Sequence, residues 1–511
     1  MNLYQLCEEA GISVPDFVPN VEICGISTDS RKVKKGDLFL CICGLTVDGH
    51  EFAKNAAKNG AAAIIAETGR AVFGVEDIPV FSVENTRRAA ARLYDAWYGH
   101  PTKGMKLIAV TGTNGKTSVA YTLRAILESN MYRCGLIGTV CCDSAGRHLE
   151  IRSDNPLANM TTPDPAELYR IFAEMEKDGV EYVVMEATSH ALSLGKLDAL
   201  SFDAAIFTNL TPEHLDFHGN MENYFFAKAQ LFSRCKKAII NLDDAYGKRL
   251  SDTVSCPVIT CSANGNRADF CAEDVAMRGI DGSSYRVVAK NLQFSVQTPI
   301  PGAFSVINSL EAAACAAVLG VSPSVITSAI GSLTGISGRL ERVRLGTVAD
   351  FSVFIDYAHT PDALRSLLET ARGFCGKDRR IVLVFGCGGD RDKGKRPIMG
   401  RIASELADYC IITSDNSRME EPMSIIREIT DGMGKDARYA VIPSRAEAID
   451  YAVRKARRGD VILLAGKGHE EYEITEDGKR PFCEKKLVKE AVLRYYAGYQ
   501  NENSERKGSG L

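Results

Sequence analysis

Residues 106–127, KLIAVTGTNGKTSVAYTLRAIL, decide the fold. Residues 106–110 form a short apolar strand, TGTNGKT at 111–117 is a glycine-containing loop, and Val119, Ala120, Leu123, Ile126 and Leu127 recur at helical spacing. A strand turning through such a loop into a helix brings backbone N–H groups, a lysine and a helix N-terminus to one point, as a phosphate chain requires. Gly112 and Gly115 permit the tight backbone, and Thr113, Asn114 and Ser118 complete the run. Lys116 reaches phosphate oxygens, and Thr117 offers a hydroxyl to Mg²⁺. The commoner phosphate-loop pattern has an earlier glycine, where this chain has Val110. The reading is ATP with Mg²⁺.

Outward from the loop, further strands are expected at 180–185, 204–207 and 238–241, with helical patterns between them. That alternation predicts a largely parallel sheet covered by helices, an α/β class. N-terminal to it, strand-like runs at 37–42 and 61–66 flank a helical stretch at 51–59, and residues 96–105, AWYGHPTKGM, read as a linker. From about 351 the pattern restarts with four apolar strands, each ending in a polar or glycine-rich loop. They are FSVFID into YAHTPD, IVLVFG into CGGDRDKGKR, YCIIT into SDNSR, and VILLA into GKGHE. In open α/β sheets ligands bind beyond the carboxyl ends of strands, so these loops should converge.

A chain of 511 residues is too long for one core, and about three domains is the natural expectation. The expected boundaries are 1–98, 99–336 and 337–498, with a polar, disordered tail at 499–511. A formal net charge of −4 argues against a general nucleic-acid binder. The 16 cysteines are spread thinly, no signal peptide is visible, and apolar runs such as 461–465 fall far short of the ~20 residues that span a bilayer. A cytoplasmic chain with reduced thiols and no membrane segment is expected.

Two groups outside the loop bear on the metal. Glu186 ends the apolar run YVVME, where a carboxylate is either solvated or a second Mg²⁺ ligand. His214, in TNLTPEHLDFHG at 208–219, is by itself a loop histidine with Asp216 and His218 as neighbours.

The loop form GTNGKT resembles that of the Mur ligases and the related folylpolyglutamate synthetases, which join an amine to a carboxylate at the expense of ATP. The resemblance to Mur ligases runs from about Ser27 to about Glu473, through separated motifs in order. It implies three domains: an N-terminal UDP-binding α/β domain, a central phosphate-loop ATPase on a mostly parallel sheet, and a C-terminal Rossmann-like domain. It implies that His214 binds metal, and that Lys228 in ENYFFAKAQLFSR is carbamylated by CO₂ and helps to hold Mg²⁺. Lys116, Glu186, His214 and Lys228 are then the catalytic set. Asn308, Arg339 and Asp356 match nucleotide-binding positions, with His359 in the same DYAHTPD loop; Ser305 stands where the family usually has asparagine.

Within the family, the motifs resemble the branch that adds the third amino acid of the peptide. Ser27, Ser30 and Arg31 would contact the UDP group. Thr161, Thr162, Thr188, Ser189 and Lys196 would contact the muramoyl peptide of UDP-N-acetylmuramoyl-L-alanyl-D-glutamate, with Thr188 and Lys196 where serine and arginine are common. SDNSR at 414–418 resembles the DNPR motif of ligases that take meso-2,6-diaminopimelate, with Ser417 in place of proline. Arg418 supplies the guanidinium that can hold a second carboxylate, and Asp415, Asn416, Arg391, Gly466 and Glu470 complete that pocket. L-lysine is the alternative amino acid, and a nucleotide-dependent switch that makes no bond is the alternative class. Small-molecule substrates and a monomer are expected.

Overall fold

The computed structural model describes residues 1–44, 47–152, 161–346, 349–376 and 378–496. The tail expected at 499–511 lies outside the described residues. The chain divides into two compact units, residues 1–270 with 311–325 and residues 271–310 with 326 onward.

Unit 1 begins with four parallel strands in sequential order: β1 (Gly25–Ser27), β2 (Asp37–Leu40), β3 (Ala63–Glu67) and β4 (Val80–Val83). The expected strands at 37–42 and 61–66 are β2 and β3. The helical stretch at 51–59 is a 3-10 turn, Gly49–Phe52, running into the helix Ala53–Lys58. The linker starts later than expected. Ala96 and Trp97 close the helix Thr86–Trp97, because Ala89, Ala90, Leu93 and Ala96 form one continuous buried stripe. Gly99 then turns the chain with φ +72°.

The central sheet of unit 1 contains β5 (Lys106–Thr111), β6 (Cys134–Ile137), β7 (Cys142–Ser144), β8 (Arg147–His148), β9 (Tyr182–Glu186), β10 (Ala204–Phe207), β11 (Ala238–Asn241) and β12 (Val258–Ser262). Its spatial order is β12-β11-β10-β5-β9-β6-β7-β8. β12 through β6 are parallel, and β7 and β8 turn back antiparallel. Leu107 to Thr111 and Tyr182 to Glu186 are buried at every position, since helices cover both faces. Adjacent β5 and β9 end together, with Val110 opposite Glu186, so the phosphate loop and the Glu186 carboxylate emerge at one edge.

Unit 2 contains all but the first residue of β13 (Phe270–Met277), the antiparallel pair β14 (Ser283–Ala289) and β15 (Leu292–Thr298), and a second sheet. That sheet is built from β16 (Glu341–Arg342), β17 (Ser352–Asp356), β18 (Ile381–Phe385), β19 (Tyr409–Ile412), β20 (Tyr439–Val441) and β21 (Val461–Ala465) in the order β16-β17-β21-β18-β19-β20. A hairpin of β22 (Tyr472–Thr475) and β23 (Gly478–Pro481) follows. All four strands read from the sequence are present and mutually parallel, which puts their C-terminal loops on one edge. Those loops are tied together. Lys395 Nζ donates to His359 O at 2.8 Å, and Arg418 Nη1 to Gly389 O at 2.8 Å.

Behind the loops Arg396 is fully buried and donates to Glu420, Glu428 and the Gly388 carbonyl. These bonds hold the Glu420 carboxyl down at about 2. A carboxyl depressed in the folded state contributes stability above its unfolded-state value of about 4.3 and loses it as pH falls toward the folded value. Arg396→Met leaves both glutamates without their buried cation and is expected to cost about 3 kcal/mol at neutral pH. It should also shrink the loss of stability on going from pH 7 to pH 3. Urea unfolding at the two pH values measures both effects; an unchanged midpoint at pH 7 contradicts them.

Candidate active site

The loop after β5 is held by the end of β10. Asn209 O accepts from Thr113 N at 2.9 Å, Asn209 Oδ1 accepts from Asn114 N at 2.9 Å, and the Thr208 hydroxyl donates to Asn114 O at 2.5 Å. Gly112, at φ +145°, packs directly on Thr208, where a Cβ would overlap the threonine hydroxyl. Gly115, with φ +84°, caps the helix Lys116–Ser129, whose first residues are Lys116, Thr117 and Ser118. This is the strand, loop and helix read from the sequence.

Glu186 is 1% exposed, and its carboxylate accepts from Thr117 Oγ1 at 3.0 Å, Thr139 N at 3.0 Å and Thr139 Oγ1 at 3.1 Å. A buried carboxylate beside the phosphate-loop hydroxyl is an oxygen donor set that fits a hard divalent cation. Lys116 Nζ bonds Gly112 O at 3.0 Å and Thr113 O at 2.7 Å. Lys228, buried in the helix Met221–Ala229, bonds the same Gly112 carbonyl at 2.7 Å. Its pKa is pushed well below the ordinary lysine value by burial and then by the Lys116 charge. An amine so placed is readily neutral, the form that reacts with CO₂.

His214 takes a left-handed backbone, φ +56°, at the start of the short helix Leu215–His218. Burial lowers its pKa, and Lys116 and Lys228 act in the same direction. Its ring packs edge-on to His190 at 4.8 Å, and His190 lies 4.2 Å from Phe217 between ring centroids. His218 is buried and bonded to Ser189 Oγ at 2.9 Å, and Asp216 is exposed beside it.

The residues expected at the muramoyl peptide gather next to Glu186. The Thr162 hydroxyl donates to Glu186 O at 2.8 Å and lies 3.3 Å from that of Thr188, and Thr161 Oγ1 is 2.9 Å from Thr139 Oγ1. Lys196 is buried and pairs with Asp164 at 2.7 Å. In the N-terminal sheet, Ser27 and Ser30 are buried at the end of β1, and the exposed Arg31 forms a two-bond pair with Asp29.

Unit 2 holds the remaining candidates. Asn308 is buried in the helix Phe304–Val318. Asp356, at the end of β17, accepts from Leu340 N at 2.7 Å and Ala358 N at 2.9 Å; burial raises its pKa, and Arg339 opposes that. The Arg339 guanidinium sits 5.3 Å over the Tyr357 ring, and its buried Nε has no protein partner among the described residues. Gly466 lies against Asp415, where a Cβ would come within 2.6 Å of the carboxylate. Burial tends to raise the Asp415 pKa, but Lys467 and Arg445 hold it below the ordinary value. Asn416 Nδ2 donates to Glu470 Oε2 at 2.8 Å. Arg418 adopts φ +52°, and its guanidinium commits only Nη1 to protein acceptors among the described residues, Gly389 O at 2.8 Å and Asn416 O at 3.3 Å. Its Nε and Nη2 remain as a fork of the kind that binds a carboxylate bidentately. Arg391 is exposed, its Cγ near Gly388.

Several contributors escaped the sequence reading. Thr208 and Asn209 were inside the stretch read for His214 but carried no signal as ordinary polar residues. Thr139 and His190 in unit 1 and Arg445 in unit 2 had no motif of their own, and Lys467 carried no separate signal within GKGHE; only the pairing of distant strands within each unit brings them to its loops.

A phosphate loop on a parallel sheet, with a buried acid and two lysines around it, defines a nucleotide-using α/β enzyme. Three family models match: Mur ligase family, catalytic domain, at 22–98; Mur ligase middle domain at 110–316; and Mur ligase, glutamate ligase domain, at 338–468. The UDP-N-acetylmuramoyl-L-alanyl-D-glutamate--2,6-diaminopimelate ligase of Syntrophomonas wolfei is 41% identical, covering 96% of this chain and 99% of its own. The enzyme of the same name from Caldanaerobacter subterraneus is 42% identical over 93% of this chain and 95% of its own. A solved structure titled for that ligase has 31% identity and a TM-score of 0.67, covering 97% of this chain and 99% of that one. The chain belongs to the Mur ligase family. It is an ATP-dependent ligase built of the family's three domains.

Proposed function

We propose that this ligase adds meso-2,6-diaminopimelate to UDP-N-acetylmuramoyl-L-alanyl-D-glutamate, a step of peptidoglycan precursor synthesis. The observation that carries the choice of amino acid is the Arg418 fork beside Asn416 and Glu470, and the names of the full-length relatives support it. ATP's γ-phosphoryl group passes to a carboxylate of the acceptor. The incoming amine attacks the acyl phosphate, the C–N bond forms, inorganic phosphate leaves and the amine loses a proton.

The loop 112–118 binds the phosphates, with Lys116 neutralising charge on the transferred group. Asn308, Arg339 and Asp356 are proposed nucleotide contacts. Ser27, Ser30 and Arg31 bind the UDP group, and Thr161, Thr162, Thr188, Ser189 and Lys196 the muramoyl peptide. Arg418 and Arg391 hold the distal carboxylate, Asp415, Asn416 and Gly466 shape the pocket, and Glu470 faces the ammonium. Mg²⁺ held by Thr117, Glu186, His214 and a carbamate on Lys228 would supply further charge neutralisation. On Lys228 a carbamate replaces repulsion from Lys116 by attraction. The proposed domain limits are 1–98, 99–336 and 337–498. No helix among the described residues is long and apolar enough to cross a membrane; a cytoplasmic monomer acting on small molecules, with no nucleic-acid partner, is our reading.

Two measurements test these assignments. ADP and phosphate should appear only when acceptor and amino acid are both present; equal release without the amino acid would favour a switch. Protein equilibrated with ¹³C-labelled CO₂ should give a carbamate carbon resonance that Lys228→Met lacks, and CO₂-free buffer should lower activity reversibly. Full activity with a bare Lys228 amine rules the modification out.

A further inference from the structure

The hydrogen bonds around Asn416 fix which way its amide faces. Oδ1 accepts from Lys467 Nζ at 2.9 Å and from Ile474 N at 3.0 Å, and Nδ2 donates to Glu470 Oε2 at 2.8 Å. An ammonium and a backbone N–H can only donate, and a carboxylate can only accept, so the flipped amide would lose all three bonds. Lys467 is itself saturated. Its Nζ also donates to Tyr472 O at 3.0 Å and lies 3.3 Å from Asp415 Oδ1, giving three acceptors for three N–H groups. The side chain is 0% exposed, so Lys467 acts through its neighbours and not on a ligand. The Lys467 carbonyl also accepts from Glu470 N at 2.9 Å, which fixes the backbone of the same short loop.

We infer that Lys467 is a positioning residue for amino-acid selection. Its ammonium sets the Asn416 amide, and the amide holds the Glu470 carboxylate in the orientation that receives the ammonium of the incoming amino acid. The inference rests on the assignment of Glu470 to the amino acid made above. Without a donor of fixed orientation, the Glu470 carboxylate has alternative rotamers and no reason to prefer one.

Lys467→Met keeps length and apolar bulk and removes the three donors. We expect the KM for meso-diaminopimelate to rise about 30-fold, as for loss of a charge-assisted contact, while the KM values for ATP and the UDP-linked acceptor stay within about twofold. The same substitution made in an Asn416→Ala background should add little, because the relay is already cut. A lysine that merely stabilises the fold would move all three KM values or none, and its effect would persist in that background; either result overturns the inference. Glu470→Gln, measured alongside, separates the two levels. If it raises the amino-acid KM and Lys467→Met does not, the relay is wrong and the site assignment stands. If neither moves that KM, both fall together. Should Lys467→Met fail to fold, Lys467→Gln retains an N–H for Asn416 and is expected to give a smaller rise that also vanishes with Asn416→Ala; a rise that persists there overturns the relay.

Discussion

Lys116→Met should lower the rate of ADP formation about a thousandfold, the usual scale for removing a cation aimed at charge developing in a transition state. The side chain is fixed by the loop it serves, with Nζ bonded to Gly112 O and Thr113 O. Its charge also acts on Lys228, which shares the Gly112 carbonyl. Removing that charge relieves Lys228 of a repulsion, so the fold itself should tolerate the change. The defect should therefore appear in single-turnover phosphoryl transfer with the thermal midpoint little altered. A loss below tenfold would mean that the loop binds nucleotide without taking part in the transfer.

Arg418→Ala should raise the KM for meso-diaminopimelate about 100-fold, the scale for losing a paired guanidinium–carboxylate contact. Nucleotide kinetics should be unchanged. The left-handed backbone at Arg418 and its two carbonyl contacts direct the guanidinium, so the arginine is placed before any ligand arrives. Arg418→Lys should recover little, since an ammonium cannot reproduce the fork. Unchanged amino-acid kinetics in both variants would remove the basis for distinguishing diaminopimelate from L-lysine.

What could be read in the sequence follows from how local each signal is. The phosphate loop was legible because strand, glycine turn and helix lie within residues 106–127, and the four parallel strands of unit 2 because each is a short, mostly apolar run. Glu186 could be named from its place at the end of an apolar run, with a solvated carboxylate as the alternative, and Lys228 only by resemblance; the physics that singles them out, burial beside the loop, is a property of the assembled sheet. β1 and β16 are three and two residues long, too short for any period to show. Lys467 carries no signal of its own within GKGHE. Its role depends on Asn416, which is distant in sequence and joined to it only by the adjacency of strand-end loops.

The most direct test of the central claim is a competition. The enzyme is given ATP, Mg²⁺ and UDP-N-acetylmuramoyl-L-alanyl-D-glutamate with equal meso-diaminopimelate and L-lysine, and the nucleotide-linked product is identified by mass spectrometry. A product carrying diaminopimelate, formed with one ADP per amide bond, is the result predicted. A product carrying lysine, or ATP hydrolysis with no product, contradicts it.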